Sequence, residues 1–266
     1  MFPRTLLSIL FLCCAIATSL AQPNPWQGRK VAFLGDSMTD PNNNATEYYY
    51  YDYLREALGI EPHIYAKSGN QWHQLPAYVE RMEQELGQKV QGIFIFAGTN
   101  DFFHSCPMGE FFTEHDTVVN VNGEMVPRRH RIPCMTDTTF CGRVNRILSR
   151  LKHDHPLTPL FVMTPLHRAY ANFSNPNRAN VQPDENFANA HGLYIEDYVN
   201  ALRQACQLWS VPCIDLFQLS GLYPLDAASY AQFFHDASTD LLHPNAQGHR
   251  RLGQVIEAQL RALPGY

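Results

Sequence analysis

The chain has 266 residues, of which 45% are hydrophobic and 17% are charged, and its formal net charge is -5. This length suffices for one α/β domain of ordinary size. The chain lacks the surplus of basic residues that phosphate backbones and anionic membranes attract, so we expect no nucleic-acid partner.

The N-terminus has the pattern of a cleavable signal peptide. Arg4 precedes an apolar run at residues 6–17, and residues 19–21 (Ser-Leu-Ala) have the small-x-Ala cleavage pattern. The apolar run is shorter than the roughly 20 residues of a membrane-spanning helix. The sequence therefore predicts a signal peptide at residues 1–21 and a secreted or periplasmic domain at residues 22–266, without stable membrane insertion.

Short apolar runs alternate with longer helix-like segments along the rest of the chain. The runs lie at residues 31–34, 63–66, 93–97, 160–163 and 211–216, and the helical segments at 47–58, 73–86, 138–152, 193–209 and 245–262. Unbroken apolar runs are typical of parallel strands that are covered on both faces. The alternation predicts an open, doubly wound α/β sheet whose ligand site lies beyond the carboxyl ends of its strands.

One long interruption of this alternation lies at residues 102–137. Within it, Asn122-Gly123 separates two β-like runs, which is a strong signal for a β-hairpin. The sequence therefore predicts a hairpin insertion after the third strand, and leaves open whether it decorates the surface or shapes the substrate cleft. The polar segment at residues 171–189 is predicted to be a long surface loop.

Five of the seven cysteines lie beyond residue 21. Export permits disulfides, and an odd number leaves one thiol free. The nearest pairs are Cys134 with Cys141 and Cys206 with Cys213, although spacing alone leaves the connectivity open. There is no Cys-x-x-Cys motif, and the His-Asp-His run at residues 153–155 lacks a third ligand nearby, so we expect no metal site.

A serine and an Asp-x-x-His pair stand at opposite ends of the domain. Gly35-Asp36-Ser37 follows the first predicted strand directly, which places Ser37 at the carboxyl edge of the sheet. In a turn or first helical coil, the three-residue spacing puts Asp240 and His243 on one face. The carboxylate then accepts the Nδ1 proton and aims Nε2 elsewhere, as a general base requires. Each motif alone is also an ordinary turn or cap.

Two further strand ends provide hydrogen-bond donors. Ser68-Gly69-Asn70 follows the second predicted strand, and residues 98–101 (Gly-Thr-Asn-Asp) follow the third. The Gly69 amide can approach a substrate because no Cβ intervenes, and the side-chain amide of Asn100 is a neutral donor at any working pH. A nucleophile, two donor loops and an Asp-x-x-His pair at strand ends together favour a serine hydrolase.

These blocks resemble those of the SGNH hydrolase family, also called GDSL esterases. They are Gly35-Asp36-Ser37, then Gly69, then Gly98-Thr99-Asn100-Asp101, and last Asp240 with His243. The resemblance implies a three-layer α/β/α, flavodoxin-like fold with about five parallel strands. It also implies an oxyanion hole built from the amides of Ser37 and Gly69 and the side chain of Asn100. Thr39 occupies the position where the α/β-hydrolase elbow needs glycine, which disfavours that fold.

The predicted reaction is a two-step acyl transfer in which Ser37 attacks an ester carbonyl, His243 is the base and Asp240 orients it. The mechanism needs no metal or cofactor. The expected substrate is a small-molecule or glycan ester, chiefly carbohydrate that carries acetyl or other short acyl groups. A lipase or lysophospholipase is the alternative enzyme, and a catalytically idle glycan-binding module is the alternative of a different class. The oligomeric state is left open.

Trp72 and Arg168 are the candidate substrate-binding residues. Trp72 follows the Gly69 turn closely, and Arg168 follows the fourth predicted strand, where it can bind an anionic group. The alternatives are a core tryptophan and an arginine that pairs within the protein. The tyrosines at residues 48–51 and 53 are expected to pack in the helix, with one or two near the site.

Overall fold

The computed structural model describes residues 24–263, so the predicted signal peptide lies outside the described residues. The strands are β1 (Lys30–Gly35), β2 (Glu61–Ala66), β3 (Gly92–Phe96), β4 (Phe112–Val121), β5 (Glu124–Pro133), β6 (Leu160–Met163), β7 (Ala171–Asn172), β8 (Val181–Gln182), β9 (Cys213–Ile214), β10 (Phe234–Asp236) and β11 (Asp240–Pro244). The helices are α1 (Tyr50–Leu58), α2 (Leu75–Glu85), α3 (Thr99–Phe103), α4 (Phe140–Asp154), α5 (Ile195–Trp209), α6 (Leu216–Leu219), α7 (Ala227–Phe233) and α8 (Ala246–Ala262). Within this described range, no helix has both the length and the apolar character needed to cross a membrane.

A parallel sheet of five strands forms the centre of the domain, in the order β2-β1-β3-β6-β9. The chain moves outward from β1 to β2 and then crosses back to β3 on the other side of β1. In a doubly wound sheet, this reversal opens a crevice at the carboxyl ends of the strands. The five parallel strands predicted from the apolar runs are confirmed.

Helices cover both faces of the sheet. Leu34 and Ile95 belong to a buried cluster with α2, α4 and α5, whereas Phe33, Phe94 and Phe161 belong to a second cluster with α1 and α8. Successive strand residues point to opposite faces, so each strand contributes to both clusters. The ring of Phe94 stacks at 5.1 Å from Phe33 and 4.6 Å from Phe161. The three-layer α/β/α architecture is therefore confirmed.

The run of tyrosines lies mostly in the second cluster. Helix α1 begins at Tyr50, three residues later than predicted, because the Asp52 carboxylate accepts a hydrogen bond from the Tyr49 N–H at 2.9 Å and caps the helix there. The Tyr49 and Tyr51 rings stack at 5.0 Å, and Tyr50 packs edge-on against Phe33. These side chains are core residues of α1.

A second sheet, antiparallel and in the order β10-β11-β7-β8, lies beside the parallel one. The segment predicted as a polar surface loop is thus partly strand, with β7 and β8 forming a hairpin. Backbone hydrogen bonds join it to β11: the Leu241 N–H donates to the Tyr170 carbonyl at 3.0 Å, and the Asn172 N–H to the Thr239 carbonyl at 2.8 Å. Strands of two residues are too short to show the alternating pattern that identifies a strand.

The predicted hairpin insertion is formed by β4 and β5, which we call the arm (residues 112–133). Ten residue pairs join its strands, and Asn122 and Gly123 form the turn with φ of 55° and 93°. Positive φ at both positions is what the tightest hairpin turns require, and Asn-Gly meets it. Neither strand contains a buried residue, and within the described chain the arm forms a two-stranded sheet of its own.

The five cysteines between residues 24 and 263 are free thiols. Cys106, Cys141 and Cys206 are buried in the cluster that packs under α2, α4 and α5, where cysteine acts as a small apolar side chain. The hydrogen bond with Cys213, together with burial, raises the pKa of Cys206. The structure thus differs from the expectation that only one of these thiols would be free.

Candidate active site

Ser37 lies in the turn after β1, at the crevice of the parallel sheet. The Asp36 N–H donates to the Phe96 carbonyl at 3.3 Å, and the Thr39 and Asp40 N–H groups each donate to the Asp36 carbonyl at 3.0 Å. A Cβ at Gly35 would come within 2.6 Å of the Phe96 carbonyl oxygen. Glycine is therefore required before the turn, because β1 and β3 approach too closely for a side chain.

Ser37, His243 and Asp240 form a continuous chain of hydrogen bonds. The Ser37 Oγ lies 2.8 Å from His243 Nε2, and His243 Nδ1 lies 2.9 Å and 3.1 Å from the two Asp240 carboxylate oxygens. The three residues are only 7%, 7% and 5% exposed, respectively. This order of hydroxyl, imidazole and carboxylate is the arrangement that can activate a serine.

Asp240 and His243 lie on strand β11, not in the turn or helical coil that the spacing suggested. The Asp240 Oδ1 also accepts hydrogen bonds from the backbone N–H groups of Leu242, at 3.1 Å, and His243, at 3.0 Å. The carboxylate therefore reaches along its own strand to the imidazole. These backbone contacts fix the carboxylate without a helical turn.

Ser37, Gly69 and Asn100 line one cavity. Within residues 24–263, neither the Ser37 N–H nor the Gly69 N–H donates to an acceptor. Gly69 has a φ of 87°, and an added Cβ would meet nothing within 4 Å, so the backbone here is open to the cavity. The Asn100 Nδ2 donates to the Asn70 carbonyl at 3.0 Å, which fixes the amide plane. These donors can stabilise a negatively charged oxygen beside Ser37.

Asp40 connects the turn that contains Ser37 to the Gly69 turn. Its Oδ2 accepts hydrogen bonds from the Ser68 N–H at 2.7 Å and the Ser68 hydroxyl at 2.8 Å. Partial burial opposes ionisation of Asp40, but hydrogen bonds from Asn42 and Ser68 outweigh it and lower the pKa of the carboxyl. A charged Asp40 therefore holds the two turns together at neutral pH.

Two buried carboxyl groups lie behind these turns. Burial raises the pKa of Asp36 to about 7 and that of Asp101 to about 6. Asp101 accepts hydrogen bonds from the Trp72 N–H at 3.0 Å and from Arg143 Nη1 at 2.7 Å. Asp101 thus anchors the segment that follows the Gly69 turn.

The cavity at Ser37 has a volume of about 470 Å³. The hairpin β7–β8 forms one of its walls, where the Phe173 ring lies 5.3 Å from the His243 ring. Most of the residues that line it are polar, among them Asn43, Asn44, Asn172, Asn180 and Gln182. Sequence reasoning missed this wall. The available signal was the aromatic residue Phe173 in a mainly polar segment, although Phe187 of the same segment lies outside the lining.

Trp72 does not line the cavity, which corrects the prediction that it binds substrate. Its side chain is 0% exposed, and Nε1 donates to the Ala97 carbonyl at 3.2 Å. The alternative of a core tryptophan is correct, because burying the whole indole removes more apolar surface from water than a position at the rim of the cavity would. The tyrosines at residues 48–51 and 53 are also outside the lining, contrary to the expectation that one or two reach the site.

Arg168 also lies behind the cavity wall, so the prediction that it contacts substrate is wrong. It is 1% exposed and donates to Thr99 Oγ1 at 3.2 Å and to Gln182 Oε1. Its guanidinium lies 5.6 Å from each of the Phe102 and Phe103 ring centres, and burial lowers its pKa to about 10. Arg168 supports the wall from the protein interior through its hydrogen bond to Gln182.

The arm lies outside the lining of the cavity at Ser37. Of the residues that line the cavity in the described chain, none belongs to the arm. The arm is therefore a surface excursion rather than part of the cleft. Among residues 24–263, no group of three or more His, Cys, Asp or Glu side chains is arranged to hold a metal ion. The metal-free reaction stays a prediction.

Several solved structures have a similar fold. A protein from Lactobacillus plantarum has a TM-score of 0.67 at 23% identity, with 89% of this chain and 98% of that chain covered. A possible lipase from Chitinophaga pinensis has a TM-score of 0.64 at 17% identity, covering 89% and 99%. An acetyl xylan esterase has a TM-score of 0.53 at 18% identity, covering 87% and 99%. Identities this low show the fold alone.

Comparison with curated proteins finds no match. Comparison with protein families finds one: the model of the GDSL-like Lipase/Acylhydrolase family matches residues 33–251. The match extends over most of the chain and includes all four blocks from Ser37 to His243. The chain therefore belongs to the GDSL-like lipase/acylhydrolase family, whose activity is the hydrolysis of esters.

Proposed function

We propose that this protein is an exported serine esterase that removes acetyl or other short acyl groups from carbohydrate hydroxyls. The observation that carries the proposal is the hydrogen-bond chain from the Ser37 Oγ through His243 to Asp240. Export rests on the signal-peptide pattern at residues 1–21.

In the first half of the reaction, His243 Nε2 takes the Ser37 proton as Oγ attacks the acyl carbon. The Ser37 and Gly69 amides and the Asn100 side chain stabilise the oxyanion. The bond between the acyl carbon and the alcohol oxygen then breaks, and the imidazolium of His243 gives its proton to the leaving alcohol. An acyl group remains on Ser37.

In the second half, water replaces the alcohol. His243 takes a proton from the water as the water oxygen attacks the acyl carbon. The bond between the acyl carbon and the Ser37 Oγ then breaks, and the imidazolium gives its proton to Oγ, which releases the carboxylic acid and restores the Ser37 hydroxyl. The Asp240 carboxylate stabilises the imidazolium in both halves and keeps Nε2 directed at Ser37.

The lining of the cavity supports a carbohydrate substrate with a short acyl group. Amide side chains can hydrogen-bond to sugar hydroxyls, and four lining residues are apolar: Ala45, Phe103, Phe173 and Leu242. A long acyl chain needs a more extensive apolar surface to leave water. One structure of similar fold is named an acetyl xylan esterase.

A lipase or lysophospholipase is the second candidate, because another structure of similar fold is named a possible lipase. The two candidates differ in the length of acyl chain that they accept. We expect kcat/KM on p-nitrophenyl esters to be highest for acetate and to fall with chain length. An increase toward long chains would contradict the deacetylase and support the lipase.

Labelling with a fluorophosphonate probe tests the nucleophile. We expect Ser37 to be labelled, and Ser37→Ala to lose the label and about 10⁶-fold in kcat. Ser149→Ala is the matched control, since Ser149 lies on α4 and outside the cavity lining, and it should keep the label. An unlabelled wild type would support the catalytically idle glycan-binding module instead.

A further inference from the structure

The cavity at Ser37 contains an arginine without an acidic partner. Arg178 is the one Arg or Lys among the cavity-lining residues of the described chain, and it is exposed at the turn of the hairpin β7–β8. Elsewhere, arginines near carboxylates form close pairs, as Arg203 does with Asp215 at 2.7 Å. Within residues 24–263, Arg178 forms no such pair. Its charge is available to a ligand.

Among the residues that the structure describes, no carboxylate of the cavity lining pairs with Arg178. In the described chain, Asp240 is the one acidic residue among those that line the cavity, and its carboxylate oxygens are bound to His243. The formal net charge of the whole chain is -5, and Arg178 places an unpaired positive charge on one wall of the cavity. A cation in this position attracts an anionic group of a ligand.

The charge of this wall fits a single negative group. His104 and His235 also line the cavity, and burial together with the charge of Arg178 lowers the pKa of the His104 imidazole. This shift favours the neutral imidazole of His104, whereas the guanidinium of Arg178 carries its charge at any working pH. One fixed cation matches a carboxylate, with one charge, better than a doubly charged phosphate monoester.

The backbone of Arg178 is held in a defined position. The N–H groups of Arg178 and Asn175 donate to each other's carbonyls at 3.1 Å and 2.9 Å. The hairpin continues into β7, where Ala171 pairs with Asp240 of β11. Arg178 is thus connected through one sheet to the strand that carries His243. The fixed backbone limits the region that the Arg178 guanidinium can reach, so a carboxylate bound to it lies within a limited distance of Ser37.

We propose that the natural substrate carries a carboxylate near the acylated hydroxyl, and that Arg178 binds this carboxylate. This inference rests on the proposed function and narrows it, because the substrate becomes an O-acylated acidic saccharide such as a uronic acid. The amide side chains of Asn172 and Asn180, on the same wall, are placed to bind its hydroxyls.

A matched pair of esters tests the inference: a mono-O-acetylated methyl glucuronoside and its uncharged carboxamide. We expect the wild type to have about tenfold higher kcat/KM for the carboxylate. High salt should reduce this preference, because Arg178 is exposed. Arg178→Gln should bring the ratio close to one, and Arg178→Glu should bring it below one. Arg128→Gln, an exposed arginine of the arm, is the control and should keep the wild-type ratio.

Equal kcat/KM of the wild type on the two esters, or an unchanged ratio in Arg178→Gln, overturns the inference. A third ester with a sulfate in place of the carboxylate tests the kind of anion. Higher kcat/KM on the sulfate overturns the carboxylate assignment. Hydrolysis of p-nitrophenyl acetate distinguishes failure of the proposed esterase activity from failure of the proposed role of Arg178. A wild type inactive on it refutes the esterase, whereas activity without a carboxylate preference refutes only the role of Arg178.

Discussion

Two hairpins extend from the α/β domain, and they relate to Ser37 in opposite ways. In the arm, ten residue pairs join the two strands, and none of its residues lines the cavity in the described chain. The hairpin β7–β8 joins two pairs, yet it forms a wall of the cavity and is hydrogen-bonded to the strand of Asp240 and His243. The strand to which a hairpin is attached determines whether it lines the cavity. The length and regularity of the hairpin do not determine this.

The arm is stabilised mainly by its own cross-strand contacts. Arg129 lies 3.3 Å from Glu114, and the Arg131 guanidinium lies 4.3 Å from the centre of the Phe112 ring. A two-stranded hairpin alone is marginally stable in water, and such pairs each contribute only a fraction of a kcal/mol, on the order of 0.2–1. The arm therefore tolerates change with little effect on the cleft.

Shortening each hairpin in turn gives the largest contrast. Replacing residues 174–179 by Gly-Gly removes Arg178 and loosens Phe173, so we expect kcat/KM on an acetylated acidic saccharide to fall about 100-fold. Replacing residues 113–132 by the same linker should change kcat/KM less than about twofold, since the arm does not line the cavity. Circular dichroism checks that both variants fold. A comparable loss on removing the arm would contradict the comparison.

A single substitution in the hairpin β7–β8 should have an intermediate effect. Phe173→Ala removes the ring that packs against the His243 imidazole at 5.3 Å. We expect kcat to fall about tenfold, because the imidazole is less firmly oriented. Phe187→Ala is the control, since Phe187 belongs to the same polar segment but is 60% exposed and outside the lining. If both variants keep the wild-type kcat, Phe173 does not position His243.

The smallest effect is expected in the arm. Arg129→Gln breaks the pair with Glu114, but Arg129 is 71% exposed, so the free energy of unfolding should fall by no more than about 0.5 kcal/mol. The activity should stay at the wild-type level. Urea denaturation measures the first quantity and steady-state kinetics the second. A clear loss of activity would show that the arm is energetically coupled to the cleft.

The central sheet was predictable because its strands are buried on both faces. The apolar runs at residues 31–34 and 93–97 lie within one residue of β1 and β3. The strand predicted at residues 211–216 is too long, because β9 is an edge strand and only Cys213–Ile214 pairs with β6. Residues at the carboxyl ends of such strands share one edge, which is why the four blocks could be placed together.

The walls of the cleft were not predictable, because side-chain direction decides them. Trp72 follows the Gly69 turn, but the Asp101 carboxylate accepts its backbone N–H at 3.0 Å, and the indole points into the core. Arg178 and Phe173 flank two-residue strands that leave no periodic pattern. Their place in the cavity depends on the pairing of β7 with β11, which connects residues about 70 positions apart.

The carboxylate of Asp40 has a consequence for how the site can change. Because it joins the nucleophile turn to Ser68, a substitution in either turn disturbs the other. The effects of Asp40 and Ser68 variants on turnover should therefore be non-additive, with the double variant costing little more than one of the singles. The two turns that flank the catalytic serine thus respond to substitution as one linked unit. Wall residues such as Arg178 lie outside that unit, so their substitution should change the choice of substrate without disturbing the turns.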